Sequence, residues 1–196
     1  MHFHSKYHNA LRLLIPCLLV ITLSQFGALR QVSAAVVLSF SLEQLVQEAD
    51  LVVLGSCVET TGAWDADKKV IFTYITLALE ECLKGDPCPT PIRIQQLGGK
   101  VGEVLMTVTG APKFYENERV ILFLKKSSSN YYHVAGLAQG KYSVIQRGEA
   151  FYVKRNLAGL TLVKKSGPTP QLQSRNEPEE EVNLQRFIKT IQSYLR

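Results

Sequence analysis

Histidine and tryptophan are scarce in this chain, which has four histidines and one tryptophan in 196 residues. Three of the histidines, His2, His4 and His8, precede a segment with the pattern of a removable leader. His133 is then the one histidine left, and a single imidazole does not supply the ligand set of a zinc site. No serine lies in a Gly-x-Ser-x-Gly motif, and no cysteine lies in a nucleophile motif. We therefore expect a non-enzymatic protein with no catalytic residues, no metal and no cofactor.

Long hydrophobic runs are also lacking, except at residues 13–23. Lys6 and Arg12 precede this run without any acidic residue, and the small residues 32–34 follow it. A basic start, a short apolar stretch and a small-residue end are typical of a secretory signal peptide, so residues 1–34 are predicted to be removed by cleavage after Ala34. The run is shorter than the roughly 20 apolar residues of a membrane-spanning helix. We expect a periplasmic or extracellular protein with no integral membrane span after cleavage.

Basic and acidic residues are nearly balanced once the leader is set aside. Residues 1–34 hold Lys6, Arg12 and Arg30 and no acid, so lysine plus arginine falls from 22 to 19 against 17 acidic residues, and the net charge from +5 to +2. Basic and aromatic residues do mix at 141–155, but a nearly balanced chain attracts phosphates weakly. We expect no nucleic-acid partner and interpret residues 141–155 as a solvated face.

Cysteine is sparse as well, with three residues outside the leader. In an oxidising compartment this count indicates one disulfide and one free thiol. Gly85 and Pro87 lie between Cys82 and Cys88 and can turn the chain back, so we predict the Cys82–Cys88 disulfide. Cys57 has apolar neighbours and is predicted to be a buried strand residue.

The chain is rich in β-branched and aromatic sequence. Ser41 and Gln44 have the spacing of a capping box and predict one short N-terminal helix. Beyond Asp50, apolar runs separated by turn residues predict an antiparallel sandwich or barrel. Both faces of residues 70–83 are apolar, which indicates a strand shared by two layers or curled into a barrel. The runs are 51–59, 70–83, 91–97, 101–108, 119–125, 131–135, 141–145, 150–155 and 160–164.

Composition changes beyond the predicted β-barrel domain, which covers residues 35–166. Residues 167–178 are rich in proline and polar side chains and are predicted to form an exposed linker. Residues 179–196 are predicted to form an amphipathic helix, because their apolar residues fall on one stripe. This helix either packs back onto the β domain or binds a partner, and the sequence leaves both open. The stripe consists of Leu184, Phe187, Ile188, Ile191 and Leu195.

Two loops carry residues that have functional alternatives. Trp64 is either folded back onto the core or exposed as a contact anchor, and it is the one possible contact residue that the sequence singles out. Asp65 and Asp67 beside it lack the further oxygen ligands of a calcium loop and are typical of a solvated turn. Residues 98–103 contain three glycines and a lysine, as phosphate-binding loops do, but strand-like sequence follows them. We predict a turn or β-bulge there.

Three segments in a fixed order carry a resemblance to known proteins. They are Ala-Asp-Leu-Val-Val-Leu-Gly at 49–55, Tyr-Ile-Thr-Leu-Ala-Leu-Glu-Glu-Cys-Leu-Lys-Gly at 74–85 and Asn-Glu-Arg-Val-Ile-Leu-Phe-Leu at 117–124. With shorter matches they cover about residues 41–145. This block resembles an uncharacterised family of exported bacterial proteins and, more distantly, the netrin modules and TIMP-like metalloprotease inhibitors.

The resemblance implies a five-stranded, OB-type (TIMP/netrin-like) antiparallel β-barrel with extra hairpins and a C-terminal helix. In inhibitors of that kind, a cysteine at the mature N-terminus presents its backbone amine and carbonyl to the protease zinc. Here the predicted mature N-terminus is Ala35 and the nearest cysteine is Cys57, so neither the inhibitory mechanism nor its disulfides carry over.

The sequence therefore predicts a mainly β, single-domain exported barrel that acts as a binding module. Its expected partner is another exported protein. Two alternatives stay open, namely a protease inhibitor or protease-associated module, and a structural protein of the cell envelope.

Overall fold

A computed structural model describes residues 35–127, 130–164, 171–172 and 180–196. The predicted signal peptide with its cleavage site, and all of the predicted linker except residues 171–172, lie outside the described residues. The described helices are α1 (Leu42–Glu48) and α2 (Leu184–Ser193), with a 3₁₀ turn at Leu137–Gly140. The strands are β1 (Ala35–Leu38), β2 (Leu51–Trp64), β3 (Ile71–Lys84), β4 (Ile92–Leu97), β5 (Gly99–Val101), β6 (Val104–Met106), β7 (Arg119–Lys126), β8 (Tyr132–Val134), β9 (Lys141–Arg147), β10 (Ala150–Arg155), β11 (Leu160–Lys164), β12 (Gln171–Leu172) and β13 (Val182–Asn183).

Five strands close the barrel. They pair in the order β7-β2-β3-β4-β8, and β8 pairs back with β7. Every pair in this ring is antiparallel except β4–β8, which is parallel. The order β7-β2-β3-β4 is a Greek key, as in OB-type barrels. The predicted mainly β barrel is confirmed.

Three further strands extend the barrel sheet, and two small sheets lie beside it. β9 pairs with β7, β10 with β9, and β13 with β10. β1 runs parallel to β11, whose other side pairs with β12. β5 and β6 form a hairpin. The extra hairpins that the sequence predicts are therefore present around the barrel.

Alternation along β7 divides the core into two clusters, because successive side chains of a strand point to opposite faces. Val120, Leu122 and Leu124 point into the barrel, where they pack with β2, β3 and β4. Ile121 and Phe123 point outward and are covered by both helices. Two faces of one strand are thus buried in different ways, which explains why β7 is apolar on both faces.

The C-terminal helix packs onto its own chain. Leu184, Phe187, Ile188 and Ile191 are all buried in the outer cluster. Burial of these four side chains contributes about 1.5–3 kcal/mol each before entropy costs. The sequence left packing in cis and binding to a partner open, and the structure shows packing in cis for these four residues of the stripe, while Leu195 is exposed.

Several boundaries differ from the sequence prediction, and β2 extends to Trp64 where the predicted run ends at residue 59. The run 101–108 is not one strand, since residues 102–103 turn between β5 and β6, with Gly102 at φ 56°. Helix α2 begins at Leu184 rather than at residue 179, because Asn183 caps it by accepting from two backbone N–H groups. β12 lies inside the predicted linker. β1 was not predicted at all.

Candidate functional site

The capping box and the disulfide both have the predicted geometry. Ser41 accepts from the Gln44 backbone N–H, while the Gln44 side chain accepts from the Ser41 backbone. Cys82 and Cys88 form the disulfide. Within this loop, Lys84 Nζ donates to the carbonyl oxygens of Val46 at 2.7 Å and Ala49 at 2.6 Å, at the end of helix α1. A lysine ammonium at helix carbonyls is favourable, so the loop holds the helix in place.

Trp64 is half-buried at the end of β2. Its cross-strand partner Ile71 donates its backbone N–H to Met106 Sδ at 3.5 Å. A Cβ at Gly62 would lie 2.2 Å from the Lys100 carbonyl oxygen, so only glycine allows the β5–β6 hairpin to approach β2 this closely. The hairpin therefore lies against the Trp64 end of β2 and β3.

Apolar side chains are exposed at this end of the barrel. Leu97, Val104 and Leu105 are 45%, 49% and 69% exposed. Leu97 ends β4 directly before the hairpin, and the other two residues form β6 beside the turn. Together with Trp64 we call these residues the hairpin patch. Val104 and Leu105 are consecutive residues of β6, so the hairpin exposes an apolar side chain on each of its faces. Exposed apolar surface of this kind is typical of interaction sites.

The loop after Trp64 is a structural turn. Asp65 Oδ1 accepts from the backbone N–H groups of Lys69 at 2.6 Å and Val70 at 2.9 Å. Asp67 pairs with Lys69 Nζ at 3.3 Å. Both carboxylates therefore have partners within the turn. In the part of the chain that the structure describes, no three His, Cys, Asp or Glu residues are grouped to hold a metal ion.

A second surface lies on the outside of β3, β4 and β8. Ile92 and Ile94 point into the barrel, so the alternate residues Arg93 and Gln95 point outward. Ile94 pairs in parallel with Tyr132, which puts Arg93 level with Tyr131 and Gln95 level with His133. Tyr74 is the cross-strand partner of Gln95 on β3. We call Tyr74, Arg93, Gln95, Tyr131 and His133 the aromatic face.

Direct contacts organise the aromatic face. The rings of Tyr74 and Tyr131 are 5.3 Å apart between centroids and tilted by 55°. Gln95 Nε2 donates to the Tyr74 hydroxyl at 3.2 Å. This surface was not predicted from the sequence, because Tyr131 lies in a different run from Tyr74 and only barrel closure brings them together. The alternation of residues 70–83, which places Tyr74 opposite the core, was the available signal.

Glu118, Lys141 and Ser143 form a partly buried polar cluster near Cys57. Lys141 Nζ lies 2.6 Å from Glu118 Oε1 and 3.1 Å from Ser143 Oγ, which itself donates to Glu118. Lys141 and Glu118 thus form an ion pair that the serine hydroxyl joins. Burial, and then the negative charge of Glu118, raise the pKa of the Cys57 thiol. The cluster therefore has the chemistry of a structural ion pair.

The predicted solvated face at 141–155 is wrong in part. Lys141 and Tyr142 are only 8% and 7% exposed. Tyr142 packs against Phe187 of helix α2, with ring centroids 4.5 Å apart, because β9 continues the sheet that this helix covers. Phe151 and Lys154 are exposed on β10. The basic and aromatic residues of this segment therefore do not share one surface.

Nothing in the described residues forms a helix that has both the length and the apolar character needed to cross a membrane. No protein family, curated protein sequence or solved structure matches this chain.

Proposed function

We propose that this chain is an exported, non-enzymatic binding module whose partner is another exported protein. The hairpin patch carries the proposal. Its exposed side chains Leu97, Val104 and Leu105 project from the end of a closed barrel, and burying them against a partner would remove apolar surface from water. Half-buried Trp64 at their base is the type of aromatic anchor that is enriched in binding hot spots.

Export is part of the proposal and rests on two independent features. The sequence of residues 1–34 has the pattern of a signal peptide. The Cys82–Cys88 disulfide is of the kind that persists in oxidising compartments such as the periplasm or the extracellular space. The protein is thus proposed to meet its partner outside the cytoplasm.

The test is recovery of a stoichiometric partner from the exported fraction by the tagged protein and its variants. Leu105→Asp puts a charge at the most exposed position of the hairpin patch, and we expect it to reduce partner recovery at least tenfold, since a desolvated charge costs more than 1.4 kcal/mol. Leu195→Asp, at a 40% exposed position beyond helix α2, is the matched control and should leave recovery unchanged.

The partner's identity separates the remaining alternatives. Inhibition of the partner, if it is a protease, would select the inhibitor function. Equal loss of the partner in Leu105→Asp and Leu195→Asp would place the contact elsewhere, and absence of any stoichiometric partner would refute the binding module.

A further inference from the structure

The aromatic face has unused hydrogen-bonding capacity beside its rings. Gln95 uses one N–H for the Tyr74 hydroxyl, and within the described residues its carbonyl oxygen and second N–H have no partner. Arg93 is exposed and makes no ion pair with any described residue. An amide and a guanidinium with free donors thus lie on the same face as two half-buried tyrosine rings that contact each other.

The face does not suit an added peptide strand. Where the aromatic face lies, residues 72–77 of β3 pair with β2 on one side and β4 on the other, and β4 lies between β3 and β8, whereas strand addition needs a free edge with unpaired backbone groups. Any ligand of this face must therefore be recognised by side chains alone.

The charges on the face do not suit a nucleic acid either. Single-stranded nucleic acids need a row of cations that follows the phosphates beside the stacked bases. Within the aromatic face Arg93 is the one permanent cation, and His133 is exposed two residues beyond Tyr131. Lys125, the β7 partner of His133, is paired with Glu48 at 2.7 Å. Glu59 lies on β2 opposite Thr76, the β3 partner of Arg93. One guanidinium can bind one carboxylate in a two-pronged arrangement but cannot follow a phosphate chain.

We propose that the aromatic face binds an extended oligosaccharide that carries carboxylates, such as a uronic-acid polymer. The apolar C–H faces of sugar rings pack on the tilted pair Tyr74 and Tyr131, as apolar groups pack on aromatic rings generally. The Gln95 amide bonds sugar hydroxyls through its free donor and acceptor. Arg93, level with Tyr131, binds a carboxylate of the same chain.

This surface adjoins the hairpin patch at Leu97, which follows Gln95 on the outward side of β4, but the other exposed residues of that patch belong to the hairpin. The tyrosine pair lies in the middle of β3 and ahead of β8, whereas Val104 and Leu105 lie on the hairpin. Loss of protein binding in hairpin variants therefore says nothing about the oligosaccharide, and the two proposals fail independently.

The test is calorimetric titration of the protein purified after export with oligogalacturonate at low salt. A neutral cello-oligosaccharide of the same length and an oligothymidylate serve as comparison ligands. We expect saturable binding of oligogalacturonate and weaker binding of the neutral oligosaccharide. Arg93→Gln should weaken oligogalacturonate binding about tenfold, the equivalent of one charge-assisted hydrogen bond, and should abolish the preference for the acidic ligand.

Ring variants test the stacking. Tyr74→Ala and Tyr131→Ala should each weaken binding about tenfold, a typical cost for one aromatic contact. Tyr115→Ala removes an aromatic ring that is 62% exposed outside the face and should change nothing. Tyr74→Phe keeps the ring and removes only the hydroxyl that Gln95 contacts, so it should bind within about threefold of the unmodified protein. Urea unfolding of Tyr74→Ala and Tyr131→Ala, compared with that of the unmodified protein, distinguishes a lost ring contact from misfolding.

Three results would overturn the proposal. They are the absence of saturable oligogalacturonate binding by the unmodified protein, equal losses in Tyr115→Ala and Tyr131→Ala, and binding of the oligothymidylate at least as tight as that of oligogalacturonate.

Discussion

Gln139 is expected to hold the N-terminal strand onto the barrel. Its side chain is completely buried. Oε1 accepts from the Phe40 backbone N–H at 2.8 Å, and Nε2 donates to the carbonyl oxygens of Leu38 at 3.0 Å and Gly136 at 3.2 Å. The side-chain amide of Gln139 thus offers the backbone of residues 38–40 one donor and one acceptor, as a neighbouring strand would.

The change Gln139→Leu keeps the size of the side chain and removes these hydrogen bonds. A net hydrogen bond is worth about 1 kcal/mol, and leaving a buried partner unsatisfied costs about 1–3 kcal/mol. Leu38 is exposed and Phe40 half-buried, so water can bind the backbone groups that lose their hydrogen bonds to Gln139. The cost of each lost bond is therefore at the lower end of the range. The two bonds to residues 38–40 therefore amount to a loss of about 2 kcal/mol in the free energy of unfolding.

Urea unfolding followed by the fluorescence of Trp64, the single tryptophan, measures this loss. The same substitution is made in a protein that begins at Ser41 and so lacks β1. If Gln139 acts through residues 38–40, its substitution should cost much less in the shortened protein, with a coupling of about 1–2 kcal/mol in the double-mutant cycle. An equal cost in both proteins would refute the role assigned to Gln139.

Two further predictions concern the disulfide and one surface ion pair. Replacing both Cys82 and Cys88 by alanine should lower the free energy of unfolding by about 2.4 kcal/mol, the loop-closure value for a bridge between residues six positions apart. Thiol labelling of the unfolded, unreduced mature protein should modify Cys57 alone. Labelling at Cys82 would contradict the pairing. Hydrogen bonding from Arg147 lowers the pKa of Glu181 in the folded protein. This carboxylate therefore stabilises the fold at pH values above its unfolded pKa of about 4.3, and its contribution to stability is lost as the pH falls through the lower folded pKa. Glu181→Gln should therefore be less stable than the unmodified protein at pH 7 but equal to it at the lowest pH, and a difference that persists in acid would contradict the assignment.

The sequence was informative where one local pattern decides the structure. The Ser41 capping box, the turn between Cys82 and Cys88, and burial of Cys57 follow from neighbouring residues, and all are present. The barrel could also be predicted, because the long two-faced strand at 70–83 is hard to place in a single open layer.

The sequence was misleading where long-range pairing decides the structure. Residues 180–183 have the acidic character of a helix start, but Val182 and Asn183 pair with β10, and Glu181 contacts Arg147 and Lys154 instead. Tyr142 lies in a segment where basic and aromatic residues mix, which predicted a solvated face, but it is buried under helix α2. In each case the competing partner is more than 25 residues away, beyond the reach of any periodicity.

Closure of the barrel accounts for the nature of both proposed binding surfaces. Strands of the closed ring pair with one another, so recognition on the outer face of the ring depends on side chains, whereas β13 and the two-stranded β5–β6 hairpin keep open edges. One outer side of the barrel is already covered by helices α1 and α2, which pack on the cluster around Phe123. The sites left for ligands are therefore the end, where the β5–β6 hairpin exposes Leu105, and the opposite outer face, where Tyr74 and Tyr131 meet. Tyr74 and Tyr131 lie in separate stretches of the sequence, and closure of the barrel brings them together in the fold.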